Sequence, residues 1–140
     1  MGKIPLHYVD LRAFCYATED DQRVEDALRT FLPEEYGIRR SETEGHHGDR
    51  ILVLSARLEN ADDVRVVLDA LGSLADLGRV REELDDRVDE NCSLFLRLDK
   101  QAALSGRVEI GEGITLRAKV EAYPATQEAA VENAREALPE

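Results

Sequence analysis

Apolar and polar residues alternate along five stretches of this chain and recur at helical spacing along four others. In SLFLRLDK, Leu94, Leu96 and Leu98 share one face of a strand, and Phe95, Arg97 and Asp99 share the other, because successive strand side chains point to opposite sides. GITLRAKVEAY repeats the scheme, with Ile114, Leu116, Ala118, Val120 and Ala122 against Thr115, Arg117, Lys119, Glu121 and Tyr123. The two segments flank a linker carrying Gly106, Gly111 and Gly113. They read as the central pair of an antiparallel sheet joined by a glycine turn. Residues 7 to 18 form a first strand, with Val9, Leu11, Ala13, Cys15 and Ala17 opposite Tyr8, Asp10, Arg12, Phe14 and Tyr16. Apolar residues on both of its faces suit an interior strand. Tyr36 to Thr43 is a weaker, polar strand and Arg50 to Leu58 a strong one, with EGHHGD between them as a hairpin connection.

The helical stretches bury one stripe each. Thr18 caps a helix with Asp21 at its third position and Val24, Ala27, Leu28 and Phe31 facing inward, until Pro33 stops it. Asn60 caps the next, with Val64, Val67, Leu68 and Leu71. After Gly78 a charged segment holds Val80, Leu84 and Val88, and Thr126 caps a last helix with Val131, Ala134 and Leu138. Strands joined by hairpins rather than by regular crossovers give an α+β class, a mostly antiparallel sheet with helices packed on one face. A chain of 140 residues suits one domain.

Charge changes the picture most. The net charge is −12, with fifteen Arg against three Lys, at positions 3, 100 and 119. Such a carboxylate-rich surface suits concentrated salt, where repulsion is screened within ~3 Å at 1 M. An acidic protein that binds a basic partner or avoids nucleic acid is the rival reading. No apolar run approaches the ~20 residues that cross a bilayer. The amino-terminal MGKIPLHYVDLR lacks a continuous apolar leader, so a cytoplasmic protein is expected. Cys15 and Cys92 have no metal or redox spacing and read as buried thiols.

Chemistry-bearing motifs are sparse. A Walker loop and a nucleophile elbow are missing, and GEG at Gly111 to Gly113 lacks the third glycine of a dinucleotide fingerprint. His46 and His47 beside Asp49 form a polar turn or an RNA contact, since a closed metal site needs about four ligands. Neither metal nor cofactor is expected. Asp99 beside Lys100 reads as the end of a strand. The face carrying Arg97, Arg117, Lys119 and Tyr123, with Lys100 at its end, either meets phosphate or finishes an exposed sheet by pairing with Glu121, Asp99 or Glu109. Phe14, Tyr16 and Phe95 add rings for base stacking if their strands share that face.

Taken together, EGHHGDRILVLSARL, SLFLRLDKQAAL and ITLRAKVEAYP resemble an archaeal, and most closely a haloarchaeal, RNA-binding family that is a predicted subunit or associate of the exosome. The resemblance spans nearly the whole chain. It implies an α+β fold similar to that of the ribosomal protein that binds 5S rRNA, and a non-enzymatic role in RNA binding, processing or degradation, with no catalytic residue to carry over. RNA, and the exosome or other RNA-processing proteins, are the expected partners. Arg97, Lys100, Arg117, Lys119, Tyr123, His46 and His47 are the expected RNA contacts. The alternative is a module that docks on an RNA-processing complex without touching RNA.

Overall fold

The computed structural model describes residues 4–139. Its elements run in the order β1 (Leu6–Tyr16), α1 (Asp21–Arg29), β2 (Arg39–Glu44), β3 (Arg50–Leu58), α2 (Ala61–Leu71), α3 (Leu77–Glu82), α4 (Leu84–Arg87), β4 (Ser93–Asp99), α5 (Lys100–Leu104), β5 (Gly113–Val120) and α6 (Gln127–Ala137). The strands form one antiparallel sheet in the order β2-β3-β1-β5-β4. The fold is therefore α+β. Every strand but β2 sends a row of buried apolar residues to the helix side: Val9, Leu11 and Ala13; Leu52, Leu54 and Leu58; Leu94, Leu96 and Leu98; Ile114, Leu116 and Ala118. Val24, Leu28, Val64, Val67, Leu71, Val80, Leu84, Val131 and Ala134 cover them from the helices as one continuous core. Among the described residues no helix is long and apolar enough to cross a membrane.

The structure revises the sequence expectations at four points. The pair β4–β5 lies at one side of the sheet with β4 as its edge, and the centre is β1, the longest strand. The first helix is capped by Asp20, whose carboxylate accepts from the amides of Gln22 and Arg23. Thr18 cannot serve because the chain is still turning there, with the Glu19 amide donating to the Tyr16 carbonyl. The charged segment around Gly78 is two short helices rather than one, since Glu83 leaves helical geometry between them with φ −95 and ψ 11, and Val88 ends the second by turning extended to bridge Leu94.

The linker between β4 and β5 is the fourth. It contains α5 rather than a simple turn. Asp99 caps α5 by accepting from the amides of Gln101 and Ala102, and Ala102 and Ala103 are buried beneath it. Gly111 and Gly113 then fold back over its start. A Cβ at either would come within 2.5 Å of the Asp99 or Lys100 Cβ, and Gly113 has a φ of +110, a region that only glycine visits freely. Two further caps are as expected: Asn60 caps α2 and Thr126 caps α6.

Candidate nucleic-acid interface

All the helices lie on one side, so the other side of the sheet is open. Alternation places Tyr8, Asp10, Arg12, Phe14 and Tyr16 of β1 there, with Arg57, Ser55 and Val53 of β3, Arg39 of β2, Thr115, Arg117 and Lys119 of β5, and Phe95 and Arg97 of β4. Within the strands this face carries six cations and two carboxylates, Asp10 and Asp99. Both carboxylates are already engaged, Asp99 with the amides of α5 and Asp10 as described below. In a chain of net charge −12 this excess of cations over carboxylates makes the open face the local exception, a charge balance that favours a polyanion there.

Register aligns the five arginines in two transverse rows. In the first, Arg57 lies opposite Asp10, Asp10 opposite Arg117, and Arg117 opposite Phe95. Arg57 donates to both Asp10 oxygens at 2.7 and 2.9 Å, and Arg117 donates to one of them at 3.1 Å. Burial raises the Asp10 pKa, but the two arginine hydrogen bonds outweigh it and hold the carboxyl below its ordinary value. The same guanidiniums flank the Tyr8 ring at 4.1 and 5.8 Å, within cation–π range. This row is internally satisfied.

The second row runs Arg39, Ser55, Arg12, Thr115, Arg97, one residue from each of the five strands. Arginines stand on alternate strands, so successive guanidiniums sit about 10 Å apart on strands spaced ~4.8 Å, with a short hydroxyl side chain between them. All three arginines are exposed. Among the described residues, none of their side chains has a hydrogen-bond or ion-pair partner. Like charges opposite one another destabilise a sheet, and nothing in the fold requires three of them on one row. Their donors are free for phosphate, which guanidinium grips with paired N–H groups.

The expected contact residues divide accordingly. Arg97 belongs to the open row. Arg117 belongs to the satisfied row, although its partner is Asp10 rather than the Glu121, Asp99 or Glu109 expected for cross-strand pairing. Lys119 lies on the same face one row further, where its ammonium donates to the Asn91 carbonyl.

Lys100 is not on this face. It is 6% exposed, and its ammonium donates to the Phe14 carbonyl at 2.8 Å and to Glu19 at 2.7 Å beneath the Tyr16 ring. The strand ends at Asp99 and the chain turns into α5, which swings Lys100 inward. Burial raises the pKa of Glu19, but the hydrogen bonds that its carboxylate accepts from the Lys100 ammonium and the Tyr16 amide together outweigh burial and leave it below the usual carboxylate value.

Tyr123 lies three residues beyond the end of β5 and is 98% exposed, so strand alternation no longer aims it at the rows. His46 and His47 occupy the tip of the β2–β3 hairpin with their rings 5.2 Å apart, seven residues from Arg39, or roughly 20 Å of strand rise. Among the described residues no group of three or more histidine, cysteine or acidic side chains is placed to hold a metal ion. Burial, with Asp21 beside it, pushes the Cys15 thiol up to about 11, far from a reactive thiolate.

Arg12 and Arg39 were absent from the expected contacts. Alternation alone put Arg12 outward, but only the strand order and register show that it shares a row with Arg39 and Arg97.

A family model described as RNA binding matches residues 8–120, from the first strand through the last, the span that contains both arginine rows. The chain belongs to this RNA-binding family. It is 37% identical to the RNA-binding protein PAB1135 of Pyrococcus abyssi over 98% of this chain and 96% of that protein. Two solved structures share the architecture. The DUF54 protein Mth689 of Methanothermobacter thermautotrophicus is 43% identical with a TM-score of 0.82, covering 96% of this chain and 98% of the other. Protein AF2318 of Archaeglobus fulgidus is 30% identical with a TM-score of 0.84, covering 94% and 99%. Family membership and the open cationic sheet thus point to the same class of ligand.

Proposed function

We propose that this chain is a non-catalytic RNA-binding protein that holds RNA on the open face of its sheet and serves RNA processing or degradation in association with the exosome. The observation that carries the binding site is the row Arg39, Arg12, Arg97, three exposed guanidiniums with no partner among the described residues in an otherwise acidic molecule. Family membership and the relative's name support RNA as the ligand. The sequence resemblance supports the exosome link, and the arginine-rich, lysine-poor acidic composition supports a saline cytoplasm as the setting. Stacking and arginine hydrogen bonds supply affinity that survives salt, where counterion release contributes little.

The test is RNA affinity of the parent and of Arg12→Ala and Arg97→Ala across a salt series, with folding checked by circular dichroism. Each variant should bind more weakly and lower the salt slope by about 0.7 units, the value for one phosphate of a single strand. Parental binding by both folded variants removes the site. Crosslinking in cells followed by sequencing and mass spectrometry tests the partners. Recovery of exosome proteins with no RNA above background favours a docking module instead.

A further inference from the structure

The open face is not flat. At its middle β5 contributes the short Thr115 between longer side chains of β1 and β4. The result is a depression of about 250 Å3 bounded by Asp10, Arg12, Phe14, Phe95, Thr115 and Arg117. Phe14 and Phe95 stand at diagonally opposite corners of it, Phe14 one outward position after Arg12 and Phe95 one before Arg97. The core lies on the opposite side of the sheet, so neither ring is needed there. Phe95 is 40% exposed on an edge strand, a position where solubility alone favours a polar residue.

The polar rim is complementary in kind. Both Asp10 oxygens already accept from Arg57 and Arg117. What remains to meet a ligand is the Arg12 guanidinium, the unused N–H groups of Arg117 and the Thr115 hydroxyl, while two aromatic faces supply stacking surface. A duplex cannot use them, because its bases are paired and stacked inside and it offers phosphates and 2′-hydroxyls. A single strand can. With its phosphates along Arg39, Arg12 and Arg97, its bases project beside that row, where the depression lies.

Building on the RNA-binding reading above, we infer that the ligand is single-stranded RNA and that two of its nucleobases leave the stack to sit on either side of Thr115, one against Phe14 and one against Phe95. Arg12 then has two neighbours at once, the backbone phosphate and the edge of the base on Phe14.

The experiment measures fluorescence anisotropy with a labelled RNA of about 12 nucleotides, within the footprint of comparable single-strand sites, offered alone and annealed to its complement. Thr115→Leu fills the depression without changing charge or adding a ring. Phe95→Ala removes one stacking surface from an exposed edge, where folding is least at risk. Phe14→Leu removes the other. The parent should prefer the single strand by at least about tenfold. Thr115→Leu, Phe95→Ala and Phe14→Leu should each weaken that binding by at least about fivefold, the low end of one lost base stack, with the salt slope unchanged.

Equal affinity for the two RNA forms overturns the inference. So does parental binding by folded Phe95→Ala together with either of the other two variants. Both outcomes leave the RNA-binding reading standing as long as the parent binds RNA. Failure of the parent to bind either RNA removes the RNA-binding reading itself, and parental binding by both folded Arg12→Ala and Arg97→Ala removes the open row as its site.

Discussion

Two rows of arginines, one outward side-chain position apart on the same sheet, are built from the same residue type and do opposite things. In the Arg57, Asp10, Arg117 row a single carboxylate gathers two guanidiniums, which also sandwich Tyr8. In the Arg39, Arg12, Arg97 row there is no acid, and hydroxyl residues hold the arginines apart. The first row stabilises the face and the second leaves it unfinished. An arginine on an exposed strand therefore says little until its cross-strand neighbours are known.

Emptying the open row should have the largest effect. The combined Arg39→Ala, Arg12→Ala and Arg97→Ala variant should lose RNA affinity on the order of a thousandfold, about tenfold for each charged hydrogen-bonding group, and should lower the salt slope by about two units. Melting should barely change, because these side chains make no hydrogen bond or ion pair among the described residues of the fold. A large drop in melting temperature would show that the open row is structural after all.

Lys100 left the face altogether, and its removal should separate stability from binding. Lys100→Ala strands Glu19 beside an unpaired Phe14 carbonyl. It should cost about 3 kcal/mol, the low end for truncating one partner of a buried pair, since Glu19 keeps some contact with solvent. Below its own melting transition the variant should show the parental salt slope in an RNA titration. A reduced slope would return Lys100 to the interface.

Asp10→Asn should turn the satisfied row into a second open one. Releasing Arg57 and Arg117 should raise RNA affinity a few fold and the salt slope by up to about 1.4 units. The same variant has a signature in acid. The Asp10 pKa is lowered in the folded state, so its contribution to stability is fully present above the unfolded value of about 3.9. That contribution is lost as pH falls through the folded pKa. Melting temperatures followed from neutral pH to about pH 3 should fall less steeply for Asp10→Asn than for the parent, and parallel curves would show that Asp10 is not linked to folding. The smallest effect is expected of Arg57→Ala, whose guanidinium is already engaged: RNA affinity within about twofold of the parent and an unchanged slope.

Much of this fold was legible in hydropathic alternation. Leu94, Leu96, Leu98, Leu116 and Val24 are buried where periodicity put them, because a strand's period of two and a helix's of 3.6 survive in the residue order. What alternation cannot carry is which strands become neighbours. The pair β4–β5 reads as central from its own pattern, yet β1 takes the centre, and strand order is settled by long-range packing. The same gap hid the open row. Arg12, Arg39 and Arg97 are far apart in the chain and meet only through register. The short helix α5 is not legible in the sequence for a local reason: Gln101, Ala102, Ala103 and Leu104 are good helix formers, but five residues directly after a strand are too few to show a period.

The near absence of free amines gives this surface an unusual chemical profile. Of the two lysines in the described residues, Lys100 is enclosed by Glu19 and the Phe14 carbonyl, and the ammonium of Lys119 rests on the Asn91 carbonyl. Acetylation, or any other modification that enters through a lysine amine, therefore finds no handle on the Arg39, Arg12, Arg97 row. Amine-reactive crosslinkers will pass over it as well, so a footprint of this face calls for dicarbonyl reagents that react with guanidinium, and RNA bound there should shield Arg12 from them before it shields Arg57.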